Sequence, residues 1–250
     1  MVKLQELLGY TNGLLNIDRF KDYCPNGLQV EGREDVIKIV SGVTASQQLI
    51  EAAIDEQADV LLVHHGYFWR GEDQSITGIK RKRIQALLAD NVSLIAYHLP
   101  LDAHADLGNN ACLAKMLELE FTNTLQGDAE LVMQGHLSTP LTATEFAGRM
   151  AQVFKREPLH IAGHQRKIKN VAWCSGGAQS YFEHAIAAGV DAYITGEVSE
   201  QNYHLAKEYG VDFFAAGHHA TERYGVRALG EHLSSHFGLS HKFIDSDNPV

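Results

Sequence analysis

Thiols are scarce in this chain. Its 250 residues hold three cysteines, Cys24, Cys112 and Cys174, an odd number set far apart with no C-x-x-C spacing. That argues against a disulfide framework or a sulfur-ligated zinc site, and it fits reduced thiols in the cytoplasm. Long apolar runs are missing as well. Nothing approaches the roughly 18 residues of a membrane span, although a hydrophobic share of 45% leaves ample material for a core. The opening "MVKLQELLGYTNGLL" mixes charged and polar residues into its apolar pattern and has no small-residue cleavage site, so it is predicted to be an amphipathic helix. Basic charge is in deficit: 21 lysines and arginines against 31 acids give a net charge of −10. That balance speaks against an extended nucleic-acid ligand, whose affinity comes mainly from basic surface. The local exception, "KRKR" at 80–83, reads as a solvated helix face.

Histidine is what the chain has in excess, with 14 residues dispersed along it. "DVLLVHHGYFW" at 59–69 shows why they matter. An apolar run, Val60 to Val63, reads as a buried strand and delivers His64 and His65 at its carboxyl end. Tyr67, Phe68 and Trp69 behind them read as packing residues.

The chain echoes itself. "IVSGVTASQQLIEAAIDEQADVLLVHH" at 39–65 matches "VAWCSGGAQSYFEHAIAAGVDAYITGE" at 171–197 at a constant offset of 132, with Glu51 on Glu183, Ile54 on Ile186 and Asp59 on Asp191. Both segments run strand, turn, helix, strand, a crossover unit that places both strand carboxyl ends on one edge of a sheet. Thr44 and Gln47 are the predicted capping pair of the first helix. At an offset of 120 the next strand repeats too, so that His98 falls on His218 and Asp102 on Glu222. The predicted architecture is α/β, built from a duplicated unit. It divides into a first repeat at 1–123, a connecting excursion at 124–169 and a second repeat at 170–250 packed back on the first. Within the excursion a helix is predicted from Ala143 to Phe154, with Thr142 and Glu145 as its capping box, ending before Pro158. "LGNN" at 107–110 reads as another helix entry.

Strand ends in such sheets are where sites form, and here they present His64, His65, His98, Asp102, Glu197, His218 and Glu222. Imidazole with carboxylate, and no thiolate, suits zinc, iron(II), manganese or nickel. Adjacent residues leaving a regular strand point to opposite sides, so His64 and His65 are expected to serve two ions rather than share one. In a helix starting near 216, His218 and Glu222 stand at i and i+4 on one face. Asp102 is suited to bridging two ions.

The blocks "PNGLQVEG", "VLLVHHGYFW", "YHLPLDAHADLGNN", "ITGEVSEQ" and "AAGHHATER" together resemble the YbgI-type members of the NGG-interacting factor three-like (NIF3-like) family, also called GTP cyclohydrolase I type 2 homologues. The likeness runs from about residue 20 to the end. It implies two intertwined α/β repeats with mixed sheets, two divalent metal ions per chain and a toroidal homohexamer. Carried over by motif, it makes His64, His65, Asp102, His218 and Glu222 the metal ligands. His98 and Glu197 are outside that set, and His98 is expected to bond a ligand or bound water and tune it. The implied activity is that of a metal-dependent hydrolase acting on a small molecule such as a nucleotide. An iron-dependent oxidase and a metal-binding scaffold with little catalysis are the alternatives, and no catalytic residue is assigned.

Overall fold

The computed structural model describes residues 1–125, 131–163 and 166–250. Residues 126–130 and 164–165, which fall in the predicted excursion, lie outside the described residues. In chain order the first elements are β1 (Val2–Lys3), α1 (Leu4–Leu15), β2 (Gly27–Val30), β3 (Asp35–Val36), β4 (Lys38–Thr44), α2 (Gln47–Asp55), β5 (Val60–His65), α3 (Gly78–Ala89), β6 (Ser93–Ala96) and α4 (Leu99–Ala103). Then come α5 (Asn109–Leu117), β7 (Leu119–Thr124), β8 (Met133–Leu141), α6 (Ala143–Phe154), β9 (Leu159–Ile161), β10 (Ile168–Trp173) and α7 (Phe182–Ala187). The last are β11 (Ala192–Thr195), α8 (Glu200–Tyr209), β12 (Asp212–Ala215), α9 (His218–Phe237) and β13 (Ser240–Phe243).

These elements form two compact units, Met1–Gly108 with Arg223–Asp247, and Asn109–Glu222 with Asn248–Val250. The division drawn at 123 and 169 follows the internal echo, whereas compactness divides the chain after Gly108 and, within α9, after Glu222.

The first unit is built on a sheet of order β13-β4-β5-β6-β2, parallel throughout except for β2. Its inner strands are apolar on both faces, as a sheet covered on both sides requires. Ile39, Val60, Leu62 and Ile95 pack with α1 and with Val226, Leu229 and Leu233 of α9. Val40, Leu61, Val63 and Leu94 pack with Leu49 and Ile50 of α2 and Ile84 and Leu87 of α3. The "KRKR" run is not uniformly solvated. Arg81 and Lys82 are exposed, but Lys80 is buried, donates to the Asp73 carbonyl at 3.0 Å and lies 5.0 Å over the Phe68 ring.

The second unit repeats the plan with order β7-β8-β10-β11-β12-β9, where β10, β11 and β12 are parallel and β9 is antiparallel to β12. The echo extends to side chains. Asp59 Oδ2 accepts the N–H groups of Ile37 and Lys38 at 2.8 and 2.9 Å, and Asp191 Oδ2 accepts those of Lys169 and Asn170 at 3.1 and 2.9 Å. Each carboxylate ties the start of one strand to the start of the next. Asp59→Ala is expected to cost about 1–3 kcal/mol in urea unfolding, because it removes the charged acceptor of two part-buried N–H donors.

Local signals set several helix ends. Thr142 and Glu145 form the expected capping box at α6, and α5 begins at Asn109 within "LGNN". The cap of α2 differs from expectation. Ser46, not Thr44, accepts the Leu49 N–H, at 3.2 Å, because β4 runs through Thr44, which pairs with His65 in the ladder.

Candidate metal centre

In the first unit the ladder between β4, β5 and β6 carries Thr44, His65, Val63 and Ala96 to one edge. His64 is fully buried, and its Nδ1 faces the Tyr97 carbonyl at 2.9 Å. A carbonyl only accepts, so Nδ1 carries the proton and the lone pair of neutral His64 sits on Nε2. His65 Nδ1 lies 3.1 Å from Thr44 Oγ1. The expected splay of the two rings is not found: their centroids are 4.6 Å apart. Each ring is held at Nδ1, His64 by the Tyr97 carbonyl just past β6 and His65 by Thr44 at the end of β4.

Asp102, on α4, is buried, with Oδ2 3.6 Å from His64 Nε2. That is long for a hydrogen bond. It falls where two donors sit when they share one ion at bonds of roughly 2.0–2.2 Å, about 2.9–3.6 Å apart. His98 joins this group, since one ring nitrogen from each of His64, His65 and His98 lies within 4.8 Å of the others. Its ring is 5.0 Å from Trp69, centroid to centroid.

What holds His98 is Asp22, a residue without a sequence signal. Asp22 Oδ1 accepts from His98 Nδ1 at 2.7 Å and from the Tyr23 N–H at 2.6 Å, while Oδ2 accepts from Asn26 Nδ2 and the Leu99 N–H at 2.8 and 2.9 Å. Burial opposes ionisation of Asp22, but the His98 bond and charge outweigh it and hold the carboxyl below its ordinary range. Cys24 also lies near enough to join Asp22 and His98 as a donor. With four N–H groups already on Asp22, that trio reads as a clamp on His98.

The second unit contributes the start of α9. His218 Nε2 and Glu222 Oε2 are 3.1 Å apart, as expected for i and i+4, and His218 Nδ1 is 2.6 Å from Glu197 Oε1. Glu197 in turn accepts from Gln179 Nε2 at 3.1 Å. Burial disfavours charge on His218, yet the bonds to and charges of Glu222 and then Glu197 prevail and push its pKa up to about 9. Glycines make the room. A Cβ on Gly176, at φ +64°, would stand 2.0 Å from Glu222 Oε1, and one on Gly196 would stand 2.6 Å from the His218 Cα. Gly176→Ala is expected to push Glu222 aside and lower divalent-metal affinity about tenfold or more, read by chelator competition.

The donor chemistry is the test of fit for a metal. His64 and His218 each give Nδ1 to an acceptor-only oxygen, which leaves Nε2 as the donor nitrogen. That is the arrangement found behind metal-ligating imidazoles. Two half-sites of imidazole and carboxylate, one in each unit, thus suit a divalent transition metal.

The profile of Duf34/NIF3 (NGG1p interacting factor 3) matches residues 2–249. The chain belongs to the NIF3 family. A GTP cyclohydrolase 1 type 2 homolog of Pseudomonas aeruginosa is 52% identical over 100% of this chain and 99% of its own length. One from Pasteurella multocida is 53% identical with the same coverage. The solved structure of protein ybgI, described as of unknown function, superposes with a TM-score of 0.96 at 48% identity, covering 100% of both chains. The mixed α/β fold of this NIF3 member is thus that of its structural relatives. None of its described helices is long and apolar enough to cross a membrane.

Proposed function

We propose that this NIF3-family chain is a metal-dependent hydrolase that acts on a nucleotide or related small molecule in the cytoplasm. In this reading His64, His65, Asp102, His218 and Glu222 hold two divalent ions per chain. Asp102, with two carboxylate oxygens, is the candidate among them for bridging. The observation that carries the reading is the fixing of the imidazoles: His64 by the Tyr97 carbonyl and His218 by Glu197, each through Nδ1. Core histidines need one satisfied nitrogen, but two satisfied on the same side, each with a carboxylate near Nε2, point to ligation.

Bound there, two ions would lower the pKa of a water and polarise the bond under attack. The chain's own residues have separate tasks. Glu197 keeps His218 in its Nδ1-protonated form. Asp22 aims His98, which lies beside His64 and His65 without belonging to the five and would orient a water or a substrate oxygen. The name shared by the Pseudomonas and Pasteurella relatives supports a GTP-like substrate. A toroidal homohexamer is part of the same proposal.

Elemental analysis of freshly purified protein, paired with turnover assays on GTP and on phosphomonoesters, tests the proposal. About two zinc or manganese ions per chain with GTP ring opening or ester hydrolysis is the expected result. Metal at full stoichiometry with no turnover would favour the scaffold. Iron with oxygen consumption would favour the oxidase. No bound metal would overturn the assignment.

A further inference from the structure

We propose that Arg156 binds a phosphoryl oxyanion carried by the small molecule that occupies the second half-site. The reading of that molecule as a substrate rests on the hydrolase proposal, whereas the anion contact does not need the metals.

The fold delivers Arg156 to this place. After α6 the chain turns through Lys155 in the left-handed region, at φ 58°, and enters β9. There Leu159 pairs with Ala215, His160 with Phe214 and Ile161 with Phe213. Arg156 stands just before this ladder begins, and its guanidinium comes against Gly217, the residue before His218. The backbone opposite is shaped to admit it. Gly217 has φ +102°, and a Cβ there would stand 2.3 Å from Arg156 Nη1 and 2.9 Å from Cζ. Only glycine lets the guanidinium lie against the chain at the entry to α9.

Its charge is not compensated from within. Arg33, Arg149, Arg223 and Arg227 each meet a carboxylate at 2.8–3.1 Å. Arg156 makes no ion pair among the described residues, and its Nη1 is buried without a hydrogen-bond partner there. Burying part of a guanidinium is costly unless an acceptor, best an anion, completes it. Arg156 as a whole is only half-buried, so the remaining edge of its planar fork is available, and that fork matches two oxygens of a phosphoryl group.

Isothermal titration of the full-length chain tests this, with inorganic phosphate and guanosine 5′-monophosphate as probes. Each titration is run on chelator-stripped protein and again after reloading with manganese. Stripped wild type is expected to bind both probes. Arg156→Gln is expected to weaken both about 10- to 100-fold, the range for losing a charge-assisted bond. Arg156→Lys should recover part of the loss, and manganese uptake should equal wild type in both variants. Unchanged affinity in Arg156→Gln, or no binding of either probe by stripped wild type, would overturn the proposal. Failure of the metal reading shows separately, as absent manganese uptake with the phosphate titrations unaffected.

Discussion

His64→Ala is expected to lower divalent-metal affinity by well over a hundredfold and to leave the chain close to metal-free after dialysis. Removing a hydrogen-bond partner of a ligand typically costs 10–100-fold in affinity or activity, and a ligand itself costs more. His64 is the sharpest place to look because it is 0% exposed and its ring orientation is fixed by the Tyr97 carbonyl. Alanine leaves a cavity that a solvent molecule cannot fill with the same directionality. His98→Ala is the informative contrast. His98 lies in the same cluster but is clamped by Asp22, so its loss should change affinity or turnover by about 10–100-fold and leave stoichiometry intact. Elemental analysis and chelator competition on the two variants separate the cases. If His64→Ala keeps its full complement of metal, His64 is not a ligand. If His98→Ala alters neither metal content nor turnover, His98 does not tune the site.

How much of this was legible in the sequence varies with how local the determining physics is. The helix Ala143–Phe154 and its Thr142–Glu145 cap are coded within a few residues, and sequence and structure agree on both. The repeated crossover units were legible because an apolar strand followed by an amphipathic helix has a period. Register is less local. The ladder aligns Val63 with Ala96 and Thr195 with Ala215, so the strands repeat at an offset of 119 where the histidine motifs repeat at 120. The extra residue falls in the "AG" step at 216–217, and Gly217 uses it for a positive φ.

Choices between chemically equal residues were not legible. Thr44 and Ser46 can both cap a helix, and only the pairing of Thr44 with His65 across the sheet decides for Ser46. The supports of the candidate site were hidden for the same reason. Asp22 is 76 residues from His98, and nothing in "FKDYCPN" announces a carboxylate that collects four N–H groups. Gly176 had a weak signal in "SGG", since paired glycines mark a turn, but not the reason for it, which is the Glu222 oxygen beyond. Motif likeness thus points to candidate ligands, while the groups that aim them come from tertiary contacts.

Metal uptake is expected to fall steeply as pH is lowered from 9 to 6, and His218 is the cause. In the metal-free chain its pKa is pushed up to about 9, burial being outweighed by Glu222 and Glu197. At neutral pH the imidazole is therefore protonated, and an ion must displace that proton to bind Nε2. Below pH 9 each unit of pH should weaken apparent affinity roughly tenfold, so binding near pH 7 is about a hundredfold weaker than the fully deprotonated site allows. The sign for stability is opposite. A histidine whose pKa is raised by folding stabilises the metal-free fold fully below its unfolded value of 6.5, and that contribution is lost as pH rises through about 9. Stripped protein should thus lose stability across this interval while metal-loaded protein gains affinity. Chelator competition between pH 6 and 9, with thermal melts of stripped and loaded samples, reads both trends. Glu197→Gln removes one of the two charges that raise His218, so it should shift the uptake curve to lower pH. A curve that stays in place would mean that Glu197 does not set the protonation of the ligand.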